Sequence, residues 1–322
     1  MTPPSVLLTR RWPHHVEAAL SEKCRMSFNR TDAAMDRAAI VEALTRFDIV
    51  CPTVTDRIDA AMLGGASLRT KALCNFGAGT GHIDLAACAS AGLLVTNTPD
   101  VLTDDTADLA MMLALMCARR AGEGERIVRN GSWTRWAPTQ LLGTRLSGKT
   151  MGIVGFGRIG QATARRARAG FGMTIVYAAR RRASDGVEQA LAAQHVPLDL
   201  LFAQADVISL HVPGIAANRG LIDARLLSLM KPTAILVNTA RGEIVDQGAL
   251  IAALRRGDIA GAGLDVYEDE PHVPDALRRL ENVVLLPHLG SATEETRVAM
   301  GMRVLANIDA IVAGQPPHDL VA

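Results

Sequence analysis

One short turn constrains this chain more than any other stretch. Residues 151–172 read MGIVGFGRIGQATARRARAGFG. An apolar run, 151–155, ends in Gly155-Phe156-Gly157-Arg158-Ile159-Gly160. A helical stretch follows, and a second apolar run starts at Thr174. A lone GxGxxG is a weak signal. Between a strand and a helix, inside a βαβ unit, it is the fingerprint of a dinucleotide-binding fold. Gly155 allows the tight turn, Gly157 lets the backbone approach a pyrophosphate at the helix N-terminus, and Gly160 lets helix and strand pack closely.

The second run ends as IVYAARRRAS, residues 175–184. In an NAD site an acid about 20 residues past the fingerprint bonds the ribose hydroxyls. Ala179 stands there, nineteen residues after Gly160, and Arg180, Arg181 and Arg182 follow with no acid beside them. Alanine neither accepts a hydrogen bond nor repels a phosphate, and guanidinium forks are the best partners of a 2′-phosphate. The stretch therefore predicts NADP(H) in preference to NAD(H). Alternate residues of an extended segment point opposite ways, so not all three arginines are expected to bind.

The chain has 322 residues, enough for two domains, and 49% of them are apolar. Thirty-four basic against 33 acidic residues leave a net charge of +1, so nothing draws the whole molecule to nucleic acid or an anionic membrane. The five cysteines (24, 51, 74, 88 and 117) are odd in number, form no CxxC pair and mostly lie in apolar runs. That is the pattern of reduced core thiols, which fits the cytoplasm. The N-terminus has an apolar run of only three residues before two arginines, unlike a secretory signal. No apolar stretch approaches about 18 residues, the minimum for a membrane helix.

Short apolar runs alternate with amphipathic stretches, which predicts parallel sheets. The front half offers strands at 5–9, 48–51, 72–75 and 93–96, then one long helical stretch over 104–130 with acids in its first turn. A second series follows at 151–155, 174–178, 206–212, 234–238, 263–266 and 283–286, apolar as in strands buried on both faces. A last helix is expected over 293–313. Two doubly wound α/β units result: 99–288, and 1–98 completed by 289–322.

Three later stretches set charged residues at predicted strand ends. ILVNTARGEIVD carries Arg241, GAGLDVYEDEP carries Asp265 and Glu270, and VVLLPHLGSAT carries His288. In open α/β sheets ligands bind beyond the carboxyl ends of strands. An arginine is a bidentate carboxylate clamp, and a histidine is an acid–base near neutral pH that a carboxylate partner holds protonated. His211, in SLHVPG, also ends a strand, so position alone does not choose between it and His288. His82, in GHIDL, reads as the start of a helix.

These strings, with GRIGQATARRARAGFGM and NTPDVLTDDTADLAMMLAL, resemble the D-isomer-specific 2-hydroxyacid dehydrogenase family from about residue 70 onward. Within it the chain is most similar to glyoxylate/hydroxypyruvate reductases, which carry a GSW..W.P stretch, here GSWTRWAP, and a basic turn after the second strand. The resemblance implies a Rossmann-type cofactor domain, a flavodoxin-like substrate domain, and a homodimer. It implies that Arg241 binds the carboxylate and keto oxygen of the substrate, that His288 is the proton donor, and that Glu270 pairs with it. Ala78 and Gly79, of the Gly77-Ala78-Gly79 segment, match a loop whose N–H groups hold the substrate carboxylate. Thr106 matches a position near the nicotinamide, Asp265 the acid on its carboxamide, and Val212 and Pro213 the adenine wall. Arg158, Ile159, Thr239, Ala240 and Gly290 fall in the same cofactor set. Trp136 resembles a residue that reaches the active site of the second copy. No metal is implied.

The implied reaction is NADPH-dependent reduction of a small 2-keto acid, glyoxylate or hydroxypyruvate, to the 2-hydroxy acid, with the two domains closing on it. An NAD-dependent enzyme of the same family is the alternative, a phosphoglycerate dehydrogenase among them. Formate oxidation needs no acid–base pair, so Glu270 argues against it. A nucleotide-sensing corepressor on the same fold is the rival from another class.

Overall fold

Short apolar runs bounded by glycine or polar residues become parallel strands in both halves of the chain. The computed structural model describes residues 2–65 and 67–322. It divides into two units, Met1–Leu102 with Ser291–Ala322, and Thr103–Gly290.

In unit 1 the strands are β1 (Ser5–Leu8), β2 (Arg25–Phe28), β3 (Ile49–Cys51), β4 (Ala72–Cys74) and β5 (Leu94–Thr96), in the order β2-β1-β3-β4-β5. Neighbours pair in parallel, which gives a flavodoxin-like doubly wound sheet. Alternate residues bury on opposite faces. Val6 and Leu8 pack with Val16 and Val304, whereas Leu7, Val50, Leu73 and Val95 pack with Ile40 and Leu44. The helix Glu294–Val312 starts at Thr293, whose hydroxyl accepts the Thr296 N–H, and it buries Met300, Val304 and Ile308.

In unit 2 the strands are β6 (Thr150–Val154), β7 (Thr174–Ala178), β8 (Ala193–His195), β9 (Val207–Leu210), β10 (Ile235–Asn238), β11 (Gly261–Leu264) and β12 (Val283–Leu285). Their order is β12-β11-β10-β9-β6-β7-β8, all parallel, the Rossmann arrangement with one further strand. Strand order reverses between β6 and β9, and that reversal opens the crevice in which such folds bind ligands. The sheet is buried on both faces. Val154, Val176, Ile208 and Leu236 point to one side, and Ile153, Ile175, Val207 and Val237 to the other.

Both sheets are of the expected class, but three local expectations fail. β2 and β8 were not foreseen: RMSF and AQH are short edge strands with too few apolar residues to carry a periodic signal. The stretch 104–130 is not one helix. It breaks into Thr103–Ala118 and Ala121–Arg129, with Arg120 left-handed at φ 50°. The break has a tertiary cause. The chain returns against the first helix, where the Thr144 N–H donates to Ala118 O at 2.7 Å, and a Cβ on Gly143 would lie 2.3 Å from that same oxygen. Among the described residues no helix is long and apolar enough to cross a membrane.

Candidate active site

The glycine turn follows β6 directly. Gly155 has φ 92°, and a Cβ there would lie 2.6 Å from the His211 carbonyl oxygen at the end of β9. Only glycine fits that meeting of two strand ends. A Cβ on Gly160 would lie 2.3 Å from Gly155 O, whereas one on Gly157 would meet open space. Gly157 caps the helix Arg158–Phe171, whose first turn therefore begins beside that space. Val212 lies against Gly155, and Pro213, next along, is exposed. Across the crevice the Thr239 hydroxyl is buried, with no partner among the described residues. An open glycine at a helix N-terminus and an orphaned buried hydroxyl are features that a dinucleotide would complete.

The three arginines of the turn after β7 lie in different surroundings. Ala179 is half-buried, and Arg180 and Arg181 are exposed, without an ion pair among the described residues. Arg182 is not like them. Its Nε and Nη2 donate to Glu188 Oε1 and Oε2 at 2.9 and 2.7 Å. No acid is adjacent to the arginines in the sequence, but the fold brings one to Arg182. Glu188 lies six residues on, in the helix Asp185–Leu191, and the turn folds it back onto Arg182.

At the far side of the sheet three strand ends bring the charged residues together. His288 Nδ1 meets Glu270 Oε2 at 2.7 Å, and Glu270 Oε1 accepts the Tyr267 N–H at 3.0 Å. Burial pushes the Glu270 carboxyl up. The His288 hydrogen bond and charge, the Tyr267 N–H and the Arg241 charge outweigh it, so its pKa falls below the ordinary carboxylate value. Arg241 stands just past β10 and feels Glu243 and Glu270, although burial lowers its own pKa. Its Nη1 donates to Ala240 O at 2.6 Å, and the Ala240 N–H donates to Asn238 Oδ1.

Asp265, fully buried past β11, spends its acceptors on the chain that carries His288. Its carbonyl accepts the His288 N–H, Oδ1 accepts the Leu289 N–H, and Oδ2 accepts the Gly290 N–H. Thr106 Oγ1 donates to Gly290 O at 2.9 Å and closes the same knot. Burial raises the Asp265 pKa, against the pull of these N–H bonds and of His288. His211 is different in kind. Its Nε2 meets Ser209 Oγ at 2.8 Å, and no carboxylate partners it. It keeps some surface, but desolvation of the ring lowers its pKa to about 3. A histidine held neutral is no proton donor near pH 7, so the ambiguity between the two falls to His288.

In unit 1 the segment Gly77-Ala78-Gly79 follows β4. All three of its carbonyls are tied: Asn75 Nδ2 donates to Gly77 O and Gly79 O, and Asn97 Nδ2 to Ala78 O. The N–H groups of Ala78 and Gly79 have no acceptor among the described residues. Two neighbouring free N–H groups on a fixed loop suit an anion. His82 does not open a helix as expected. It precedes the cap Asp84 of the helix Leu85–Ser90, and its Nε2 meets Asn75 Oδ1 at 3.0 Å.

Trp136 is 75% exposed, and Trp133, Leu142 and Val128 of the same stretch of chain are exposed as well. The helix Ala121–Arg129 buries no residue at all.

Residues 111–290 match the family described as D-isomer specific 2-hydroxyacid dehydrogenase, NAD binding domain. Over 322 residues the chain is 43% identical to the glyoxylate reductase of Thermococcus litoralis, covering 99% of this chain and 96% of that protein. The glyoxylate reductase of Pyrococcus furiosus is 44% identical, with 99% and 95% covered. The chain belongs to the D-isomer specific 2-hydroxyacid dehydrogenase family. Among solved structures, the NADPH-dependent glyoxylate/hydroxypyruvate reductase of Sinorhizobium meliloti, in complex with NADP and malonate, is similar with a TM-score of 0.88 at 34% identity, over 100% of this chain and 97% of that one. A glyoxylate reductase from Paecilomyes thermophila has the same TM-score at 32% identity, over 100% and 99%.

The protein is thus an NAD(P)-dependent D-2-hydroxyacid dehydrogenase. Several residues that shape the candidate site are not found by reading strand ends. Asn75 and Asn97 orient the Gly77–Gly79 carbonyls, Tyr267 fixes Glu270, and Glu188 takes Arg182. Asn75 alone had a local signal, an amide directly before a glycine-rich segment.

Proposed function

We propose that this dehydrogenase reduces glyoxylate, and hydroxypyruvate with it, using NADPH. The pair of His288 and Glu270, 2.7 Å apart with Arg241 beside it, carries the reading. A bound reduced nicotinamide supplies the hydride that adds to the carbonyl carbon. His288 gives the carbonyl oxygen its proton, which completes the hydroxyl. Glu270, charged down to low pH, favours the imidazolium and fixes the ring through Nδ1, leaving Nε2 to face the substrate. Arg241 orients the carboxylate and stabilises charge that develops on the oxygen.

For the substrate carboxylate we assign the free N–H groups of Ala78 and Gly79. We assign the unit Thr103–Gly290 to the cofactor, with the glycine turn on its pyrophosphate, and Thr106, Thr239, Ala240, Asp265 and Gly290 toward its nicotinamide end. The glyoxylate reductases among the relatives support the substrate class, and the NADP complex of the Sinorhizobium enzyme supports the cofactor. The bare arginines Arg180 and Arg181, and an alanine where an NAD site keeps an acid, argue the same way. The exposed Trp133, Trp136, Val128 and Leu142 form the apolar face of a homodimer in this reading, and five free thiols suit the reducing cytoplasm. The direct test is steady-state reduction of glyoxylate and hydroxypyruvate with each cofactor. Failure of both substrates with both cofactors contradicts the assignment.

A further inference from the structure

Between the glycine turn and the arginine turn runs one continuous set of contacts. Phe156, inside the glycine turn, stacks on Tyr177 of β7 with ring centroids 3.9 Å apart. The Tyr177 hydroxyl donates to Glu188 Oε1 at 2.5 Å and accepts the Ala183 N–H at 2.9 Å. Glu188 Oε1 and Oε2 also receive the two Arg182 bonds. The Glu188 side chain is only 11% exposed, and Arg182 with the Tyr177 hydroxyl holds its pKa down at about 2. It is therefore a full negative charge throughout the neutral range. Asp185 also acts on Arg182, and His195, whose Nε2 meets Ala179 O at 3.2 Å, acts on Glu188.

A carboxylate in this turn would serve an NAD ribose and repel a 2′-phosphate. Here both oxygens of Glu188 already accept bonds, Oε1 from Tyr177 and Arg182 and Oε2 from Arg182, and the Arg182 fork offsets the charge. We propose that Glu188 is a masked acid of the ribose pocket, that Arg182 sets cofactor choice by neutralising it rather than by touching the phosphate, and that Arg180 and Arg181 are left as the phosphate ligands. The inference rests on the NADP(H) reading above. It divides the arginines by chemistry. Arg182 spends its fork on Glu188, whereas Arg180 and Arg181 retain their forks for a phosphate. Tyr177 is a positioning residue in this scheme, because its hydroxyl joins Glu188 to the backbone of the turn.

The two roles for Arg182 are separable with a double-mutant cycle. The probes are 2′,5′-ADP and 5′-AMP, which differ only by the 2′-phosphate, and the readout is their dissociation constants by calorimetry. Retained 5′-AMP binding shows that each variant is folded. Arg182→Ala should weaken 2′,5′-ADP about tenfold by exposing the Glu188 charge, with little change for 5′-AMP. In an Glu188→Gln background the same Arg182→Ala change should cost less than about twofold, because no charge is left to unmask. An equal loss in both backgrounds makes Arg182 a direct phosphate ligand and overturns the inference while leaving the NADP(H) reading intact. Equal binding of the two probes by the unmodified enzyme overturns that reading, and the inference with it.

Discussion

Asp265 grips His288 along three consecutive peptide groups. The Asp265 carbonyl takes the His288 N–H at 2.9 Å, and its carboxylate takes the N–H groups of Leu289 and Gly290 at 2.6 and 2.9 Å. His288 itself sits at φ 57°, a left-handed conformation that a residue other than glycine adopts at a cost of about 1–2 kcal/mol. The knot holds the imidazole where Glu270 can reach it. Asp265→Asn turns one acceptor into a donor aimed at an N–H. It should lower the melting temperature by about 5 °C and cut kcat by about 10–100-fold. Unchanged kcat and melting temperature would mean that the His288 segment is held elsewhere.

His288→Asn should reduce turnover by about 10²–10⁴-fold, the range for loss of a general acid, while NADPH still binds. The check pairs steady-state rates with a fluorescence titration of NADPH. Near-normal turnover would move the proton donor to another group.

Glu270→Gln keeps the shape of the carboxyl but removes its charge. The carboxylate is held below its ordinary pKa, so it is ionised throughout the neutral range, and its charge favours an imidazolium beside it. Reduction needs that imidazolium and is lost as pH rises. The alkaline limb of the kcat/KM profile should therefore move to lower pH in Glu270→Gln, with activity at pH 8 down by about tenfold or more. A profile that falls in height but keeps its alkaline limb in place would contradict the role.

His211 makes a prediction about stability rather than rate. Its folded pKa is about 3, whereas an unfolded histidine titrates at about 6.5. Between those values the unfolded chain binds one more proton. This residue therefore removes stability as pH falls, by about 1.4 kcal/mol per pH unit. Urea unfolding at pH 6.0 and 4.5 should show that difference shrink by about 2 kcal/mol in His211→Asn. The same pH dependence in both proteins would show that His211 is protonated when folded.

Much of this was legible in the chain, for physical reasons. Both sheets are buried on two faces, so their central strands are nearly unbroken apolar runs, and the glycine turn marks the switch between β6 and β9. Arg241, Glu270 and His288 stand at strand ends with Pro or Gly close by, a local signal. Glu188 and Asp265 show what was hidden. The residue six positions after Arg182 becomes its partner only because the helix Asp185–Leu191 turns back, and nothing in ARRRAS announces that. Asp265 shows only a strand-end position in the sequence, and its bonds to Leu289 and Gly290 depend on β11 and β12 lying side by side. The break at Arg119–Arg120 likewise comes from Gly143 and Thr144, more than twenty residues away.

The most direct test of the account is kcat/KM for glyoxylate reduction at neutral pH, measured with NADPH and NADH side by side. The predicted result is turnover with both and a large advantage for NADPH, which Arg180→Ala with Arg181→Ala should erase. Turnover that favours NADH would contradict the phosphate role of the arginine turn, and no turnover with either cofactor would contradict glyoxylate as the substrate.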